Sequence, residues 1–159
     1  MTKKGADQAF EEANRQWDTG NVKRAFRLFQ EAASNGLPHA QNSLGYFFDH
    51  GYGTRVSKKL ALYWYRRAAR NRDSCAIANV AICYREVGKV ALAKKWFEKA
   101  IQAGDDDARL ELAKTLLLSR SPSPQTIEGA RQQLRHAISA KSITPDSRTE
   151  ARRLLKRLG

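Results

Sequence analysis

Cysteine occurs twice, methionine once and histidine three times in 159 residues, and 29 lysines and arginines face only 16 carboxylates. Each scarcity closes off a class of protein. Cys75 and Cys83 stand eight residues apart in what reads as one helix, ~12 Å at the helical rise. That exceeds the ~7 Å a disulfide spans, so both are expected to be small buried apolar residues. His39, His50 and His136 have no metal-ligand spacing to a cysteine or carboxylate, so no metal is expected. The run Asp105-Asp106-Asp107 reads as negative charge at a helix start, where the dipole favours it, in preference to a cation site. Gly51-Tyr52-Gly53 lacks the Lys-Ser/Thr ending and the preceding strand of a phosphate loop. No serine or cysteine has a recognisable base, so neither catalysis nor a cofactor is expected. No apolar stretch approaches the ~20 residues of a membrane span, and Met1 to Gln8 shows no apolar signal core. The expected compartment is therefore the cytoplasm.

What the chain does have is a phrase that returns. Ala25–Ala33 (AFRLFQEAA) recurs as Ala61–Ala69 (ALYWYRRAA), Ala93–Ile101 (AKKWFEKAI) and, more weakly, Ala130–Ile138 (ARQQLRHAI), at steps of 36, 32 and 37 residues. Periods of this size signal helical repeats. Ala61, Trp64, Tyr65, Ala68 and Ala69 fall at i, i+3, i+4, i+7 and i+8, the stripe of an amphipathic helix. A shorter stripe precedes each phrase. Ala40, Leu44, Gly45 and Phe48 correspond to Ala76, Val80, Ala81 and Tyr84, then to Ala108, Leu112, Ala113 and Leu116. Ala9, Ala13 and Trp17 form a weaker first version. The pattern predicts helix pairs, A then B, with Gly45, Ala81 and Ala113 permitting close approach of the paired helix. Trp64 and Trp96 are expected at equivalent buried positions. Glycines 20, 36, 88 and 104 punctuate the helices. Ser123-Pro124 and Thr144-Pro145 read as helix starts. The last helix sets Ala151, Leu154, Leu155 and Leu158 opposite Arg148, Arg152, Arg153, Lys156 and Arg157, which suits a terminal cap.

Ala40-x3-Leu44-Gly45-x2-Phe48-x2-Gly51-x-Gly53, continuing to Ala61-x2-Trp64-Tyr65-x-Arg67-Ala68-Ala69, resembles the Sel-one-like repeat family, a relative of the tetratricopeptide repeats. The family's aspartate before the B helix is here Ser57, and its valine after the second glycine is Thr54. The resemblance implies an all-α fold: a right-handed α-α superhelix (solenoid) of about four helix pairs plus a C-terminal capping helix. One domain, 1–159, would hold repeats at about 6–36, 37–74, 75–104 and 105–141, with the cap at 145–158. It also implies a non-enzymatic adaptor that holds a protein or peptide on the concave side lined by A helices.

Mapped onto this sequence, the concave positions are Glu11, Arg15 and Asp18; Asn42, Tyr46, Asp49 and His50; Asn79 and Arg85; and Glu111 and Lys114, extended by Arg152 and Lys156. Tyr46 is the expected anchor, because amphipathic aromatics recur in binding hot spots. The groove would run from mixed or acidic at its N-terminal end to basic at its C-terminal end. Residues 1–50 balance six basic against six acidic residues, so the entire net charge of +13 lies beyond them. Such a field points to an acidic partner. The B helices offer an alternative basic surface of Arg66, Arg67, Arg70, Lys94, Lys95, Lys99, Arg131 and Arg135, which would serve phosphate contacts. Against nucleic acid, Trp64, Tyr65, Trp96 and Phe97 are read as core, leaving nothing to stack on bases. An antitoxin or immunity-type inhibitor of an acidic toxin is a further adaptor reading.

Overall fold

The computed structural model describes residues 3–159, so the first two positions of the chain lie outside the described residues. Among the described residues there are nine α-helices and no strand: α1 (Lys3–Asp18), α2 (Val22–Ser34), α3 (Pro38–His50), α4 (Lys58–Ala69), α5 (Ser74–Glu86), α6 (Val90–Gln102), α7 (Asp107–Leu116), α8 (Pro124–Ser139) and α9 (Pro145–Arg157). They form the four pairs and the final helix that the repeated phrase implies. None is long and apolar enough to cross a membrane. The chain divides into two compact units, 1–80 and 81–159, with the division inside α5.

In the first unit, α1 packs on α2, α2 on α3 and α3 on α4. Helix α3 begins with Pro38 in its first turn, and α4 begins at Ser57, whose hydroxyl accepts from the Leu60 N–H. The connection between them carries Gly51 and Gly53, both at positive φ. Gly53 lies so close to α2 that an added Cβ would stand 2.9 Å from the Phe26 Cβ and 3.0 Å from the Val22 carbonyl. A side chain there would lift the loop from α2 as well as strain its backbone. Gly45 allows the A helix to meet the B helix: a Cβ on it would sit 2.6 Å from the Tyr65 ring.

The recurring phrase buries its alanines and the residue four places on. Ala25 and Phe29, Ala61 and Tyr65, Ala93 and Phe97, and Ala130 and Leu134 are all 0–2% exposed. Trp64 and Trp96 are equivalent to each other but only half-buried, which corrects the expectation that they fill the core. Each sits at the edge of the stripe under a cation from its own helix. Arg67 lies 5.3 Å from the Trp64 ring centre, and the Lys99 ammonium 4.6 Å from that of Trp96. The i+4 position turns further inward than i+3 because alanine at i sets the centre of the stripe. Cys83 is buried as expected, but Cys75 lies at the surface, one residue ahead of Ala76, where the stripe on α5 begins.

In the second unit, Leu110, Ala113, Ala130, Leu134, Ala137, Ile143 and Ala151 form one core, with Leu154 and Leu155 of α9, and Leu158 just beyond that helix, packed against it. Ser123 and Thr144 cap α8 and α9 through their side chains, each followed by proline. The aspartate run does more than start α7. Asp105 accepts from the Ala108 N–H at 3.2 Å. Asp106 reaches Ser142, and Asp107 accepts from the Thr144 hydroxyl at 2.8 Å, so the run also fixes the entry to α9.

Candidate functional site

The expected concave positions separate into two groups with different surroundings. In the first unit, Asn42 of α3 and Asn79 of α5 meet through an amide hydrogen bond of 3.0 Å. They border a cleft of about 200 Å³, lined by Asn14 and Trp17 of α1, Phe29 of α2, Asn42, Ser43, Tyr46 and Phe47 of α3, and Asn79. The floor is a chain of rings: Trp17 to Phe47 is 5.0 Å, and Phe47 to Phe29 is 5.0 Å, between centres. At the rim, Tyr46 is 40% exposed. Its ring lies 4.2 Å from His50 and 5.6 Å from Tyr52, the residue between the two loop glycines. Tyr52 in turn meets Trp17 at 4.9 Å. The Gly-x-Gly loop thus presents a ring that braces Tyr46. Partial burial, and after it the hydrogen bond with Tyr52, raises the Tyr46 pKa above its ordinary value.

The cleft therefore has an aromatic floor and a lining of uncharged amides and the Ser43 and Tyr46 hydroxyls. Asn42, Tyr46 and Asn79 were legible as groove positions. Asn14, Ser43 and the ring floor were not: Trp17 falls on the core stripe of its helix, and Phe47 lies off the Ala40, Leu44, Gly45, Phe48 stripe read from the sequence. Two other expected positions take different roles. Asp49 is largely covered and pairs with Lys58 at 2.6 Å, at the start of α4. Arg15 pairs with Glu12 at 2.7 Å on its own helix. Glu11, Asp18 and His50 remain exposed.

In the second unit the expected basic end is largely neutralised. Arg85 binds Glu111 at 2.6 Å, and Lys114 binds Glu111 at 2.8 Å and Glu150 at 3.1 Å. Arg85 also lies 5.5 Å from the Phe97 ring centre. Two cations and two carboxylates thereby link α5, α7 and α9. Arg152 and Lys156 stay exposed on α9. Among the B-helix cations, Arg131 and Arg135 share Glu128, whereas Arg66 and Arg70 lie exposed.

The network makes stability depend on pH. Burial of the Glu111 carboxyl opposes its ionisation, but hydrogen bonds from Lys114 and Arg85 outweigh it and leave the pKa below the ordinary value. Hydrogen bonding from Ser142 lowers that of Asp106. Both groups stabilise the fold above the ordinary carboxylate range, and the contribution is lost as pH falls through their folded values. Burial raises the Asp105 pKa, which acts in the opposite sense and softens the acid limb. For Lys114, burial is outweighed by hydrogen bonds to Glu111 and Glu150, and its raised pKa yields stability that is lost only in strong alkali. The melting temperature is expected to hold from about pH 5 to 9 and to fall below about pH 4. Glu111→Gln lowers it at pH 7 and shrinks the difference between pH 7 and pH 3. An unchanged difference in that variant would contradict the assignment.

The Sel1 repeat model matches residues 18–37, 38–73 and 89–105. A Sel1 repeat protein of known structure from Oxalobacter formigenes shares the fold with a TM-score of 0.74 at 22% identity, over 97% of this chain and 73% of that one. Chitin synthase regulator SKT5 of Saccharomyces cerevisiae is 37% identical over 95 residues, which is 60% of this chain and 12% of that protein. A sel1-like repeat-containing protein of Acanthamoeba polyphaga mimivirus is 28% identical over 102 residues, 64% of this chain and 19% of that protein. The chain thus spans less than a fifth of either relative's length. The repeated alanine phrase, the nine helices and these matches agree: the chain carries Sel1 repeats at residues 18–37, 38–73 and 89–105.

Proposed function

We propose that this protein is a non-catalytic adaptor that holds a segment of another polypeptide in the cleft of α1, α3 and the first half of α5. Sel1-repeat proteins are generally protein–protein interaction scaffolds. The observation that carries the reading is the chemistry of the cleft. At about 200 Å³ it is smaller than the ~300–1,000 Å³ of pockets that bury whole small ligands, and it suits one side chain. Asn79 donates one amide proton to Asn42 Oδ1, which leaves the Asn42 amide protons, the Asn79 carbonyl and the Asn14 amide to meet the alternating N–H and C=O of a peptide backbone. Trp17, Phe29 and Phe47 supply the apolar floor for the side chain, and Tyr46 closes over it. That a yeast relative is named a regulator of an enzyme agrees with action through another protein.

The test uses peptides selected from a random library on the wild-type protein. Tyr46→Ala combined with Asn79→Ala is expected to weaken them tenfold or more, because a rigid aromatic and a backbone-reading amide are lost together. The melting temperature should move little, since Tyr46 is at the rim. Unchanged peptide affinity in that variant would overturn the groove assignment.

A further inference from the structure

The net charge of +13 has no outlet in the cleft, whose rim is uncharged. Nor does it gather on α8, where Arg131 and Arg135 share Glu128. The helix with the highest net charge is α4, which contains four cations and no carboxylate. Two of the four are engaged. Lys58 pairs with Asp49, and Arg67 donates to the Tyr63 hydroxyl at 3.2 Å while covering Trp64. Lys59, Arg66 and the adjoining Arg70 have no ion-pair partner among the described residues, and all three are exposed. With Leu62, Tyr63 and Arg67 they line an open cleft of about 380 Å³. Tyr63 is 50% exposed and lies between Lys59 and Arg66 in sequence.

From this charge pattern we infer that the outward face of α4 is a second docking surface, for an acidic helical segment of a protein partner. Lys59, Tyr63, Arg66 and Arg70 are three to four residues apart, so they form one stripe ~16 Å long. Carboxylates spaced a turn apart on a partner helix meet them in register. The guanidinium forks of Arg66 and Arg70 favour carboxylates in two-point contacts, and Tyr63 and Leu62 add apolar area between the charges.

Two other polyanions fit less well. Single-stranded nucleic acid is held by successive stacking rings, and this stripe offers only Tyr63, with Arg67 lying against both it and Trp64. An anionic membrane takes up helices that turn an apolar face outward, but α4 spends Ala61, Tyr65 and Ala68 on the core. With the neutral cleft on one side and this stripe on α4, the protein has two chemically distinct surfaces, as linking two partners requires.

The probe is a fluorescent 15-residue helical peptide of glutamate and alanine with glutamates four apart, titrated at about 150 mM salt. Saturable binding is expected, weakened at least tenfold by Arg66→Glu with Arg70→Glu and severalfold by Tyr63→Ala. Lys94→Glu with Lys95→Glu changes net charge equally and should alter affinity less than twofold, as should Tyr46→Ala. If the reversed arginine pair fails to fold, Arg66→Gln with Arg70→Gln takes its place. The proposal is overturned by no saturable binding or by equal losses from the arginine and lysine pairs. Tighter capture of oligouridine or phosphatidylserine vesicles than of the peptide overturns it as well.

Discussion

Tyr65→Ala and Phe97→Ala should each destabilise the protein by about 3–5 kcal/mol, as truncation of a buried aromatic does. For a chain of this size that lowers the melting temperature by roughly 10 °C. The two rings are 2% and 0% exposed and occupy the same place in successive repeats, four residues after a fully buried alanine. Trp64→Ala, although it removes a larger side chain, should cost under about 2 kcal/mol. Trp64 is only partly buried, and at the surface it packs against Arg67 and Tyr63 of its own helix. A thermal melt of the three variants decides the order. If Trp64→Ala proves the most damaging, the assignment of the i+4 residue as the core position is wrong.

Gly45→Val is expected to cost about 3 kcal/mol, and Gly45→Ala between about 1 and 3. Alanine gains helix propensity at this interior position of α3, which by itself would stabilise by about 1 kcal/mol. Against that, its Cβ would stand 2.6 and 2.7 Å from two carbons of the Tyr65 ring. Neither helix can retreat cheaply, because the ring is packed on all sides. The clash predicts its own remedy. Combining Gly45→Ala with Tyr65→Leu should cost at least about 1 kcal/mol less than the two changes separately, since the smaller side chain makes room for the methyl. Strict additivity would mean that the close approach is not what requires glycine.

These two positions show how far the sequence could be read. The alanine period and the Gly45, Ala81 and Ala113 register located the helix pairs because a close-packed interface needs small residues at fixed spacing. The same stripe could not rank Trp64 against Tyr65, which differ by 100° around the helix and only in burial once neighbours are placed. In the cleft, Tyr46, Asn42 and Asn79 were legible because they fall off the core stripe of their own helices. The ring floor was not, because a residue that packs in the core can also show one edge to a cleft. Nor was the pairing of Arg85 and Lys114 in the second unit. Arg85 and Glu111 are 26 residues apart, and Lys114 and Glu150 are 36 apart, so no local spacing reveals their pairing. The α4 and α8 cations, by contrast, differ locally: α4 has no carboxylate, whereas Arg131 on α8 stands three residues after Glu128.

The central claim, that the α1–α3–α5 cleft of the first unit holds a polypeptide, is tested most directly by photocrosslinking in the native cell. A photoreactive phenylalanine replaces Ser43 inside the cleft in one variant and exposed Gln30 of α2 in another. The account predicts a discrete protein adduct from position 43 that Tyr46→Ala with Asn79→Ala abolishes, and none from position 30. Adducts from position 30 alone, or adducts from position 43 that persist in the double variant, would contradict it.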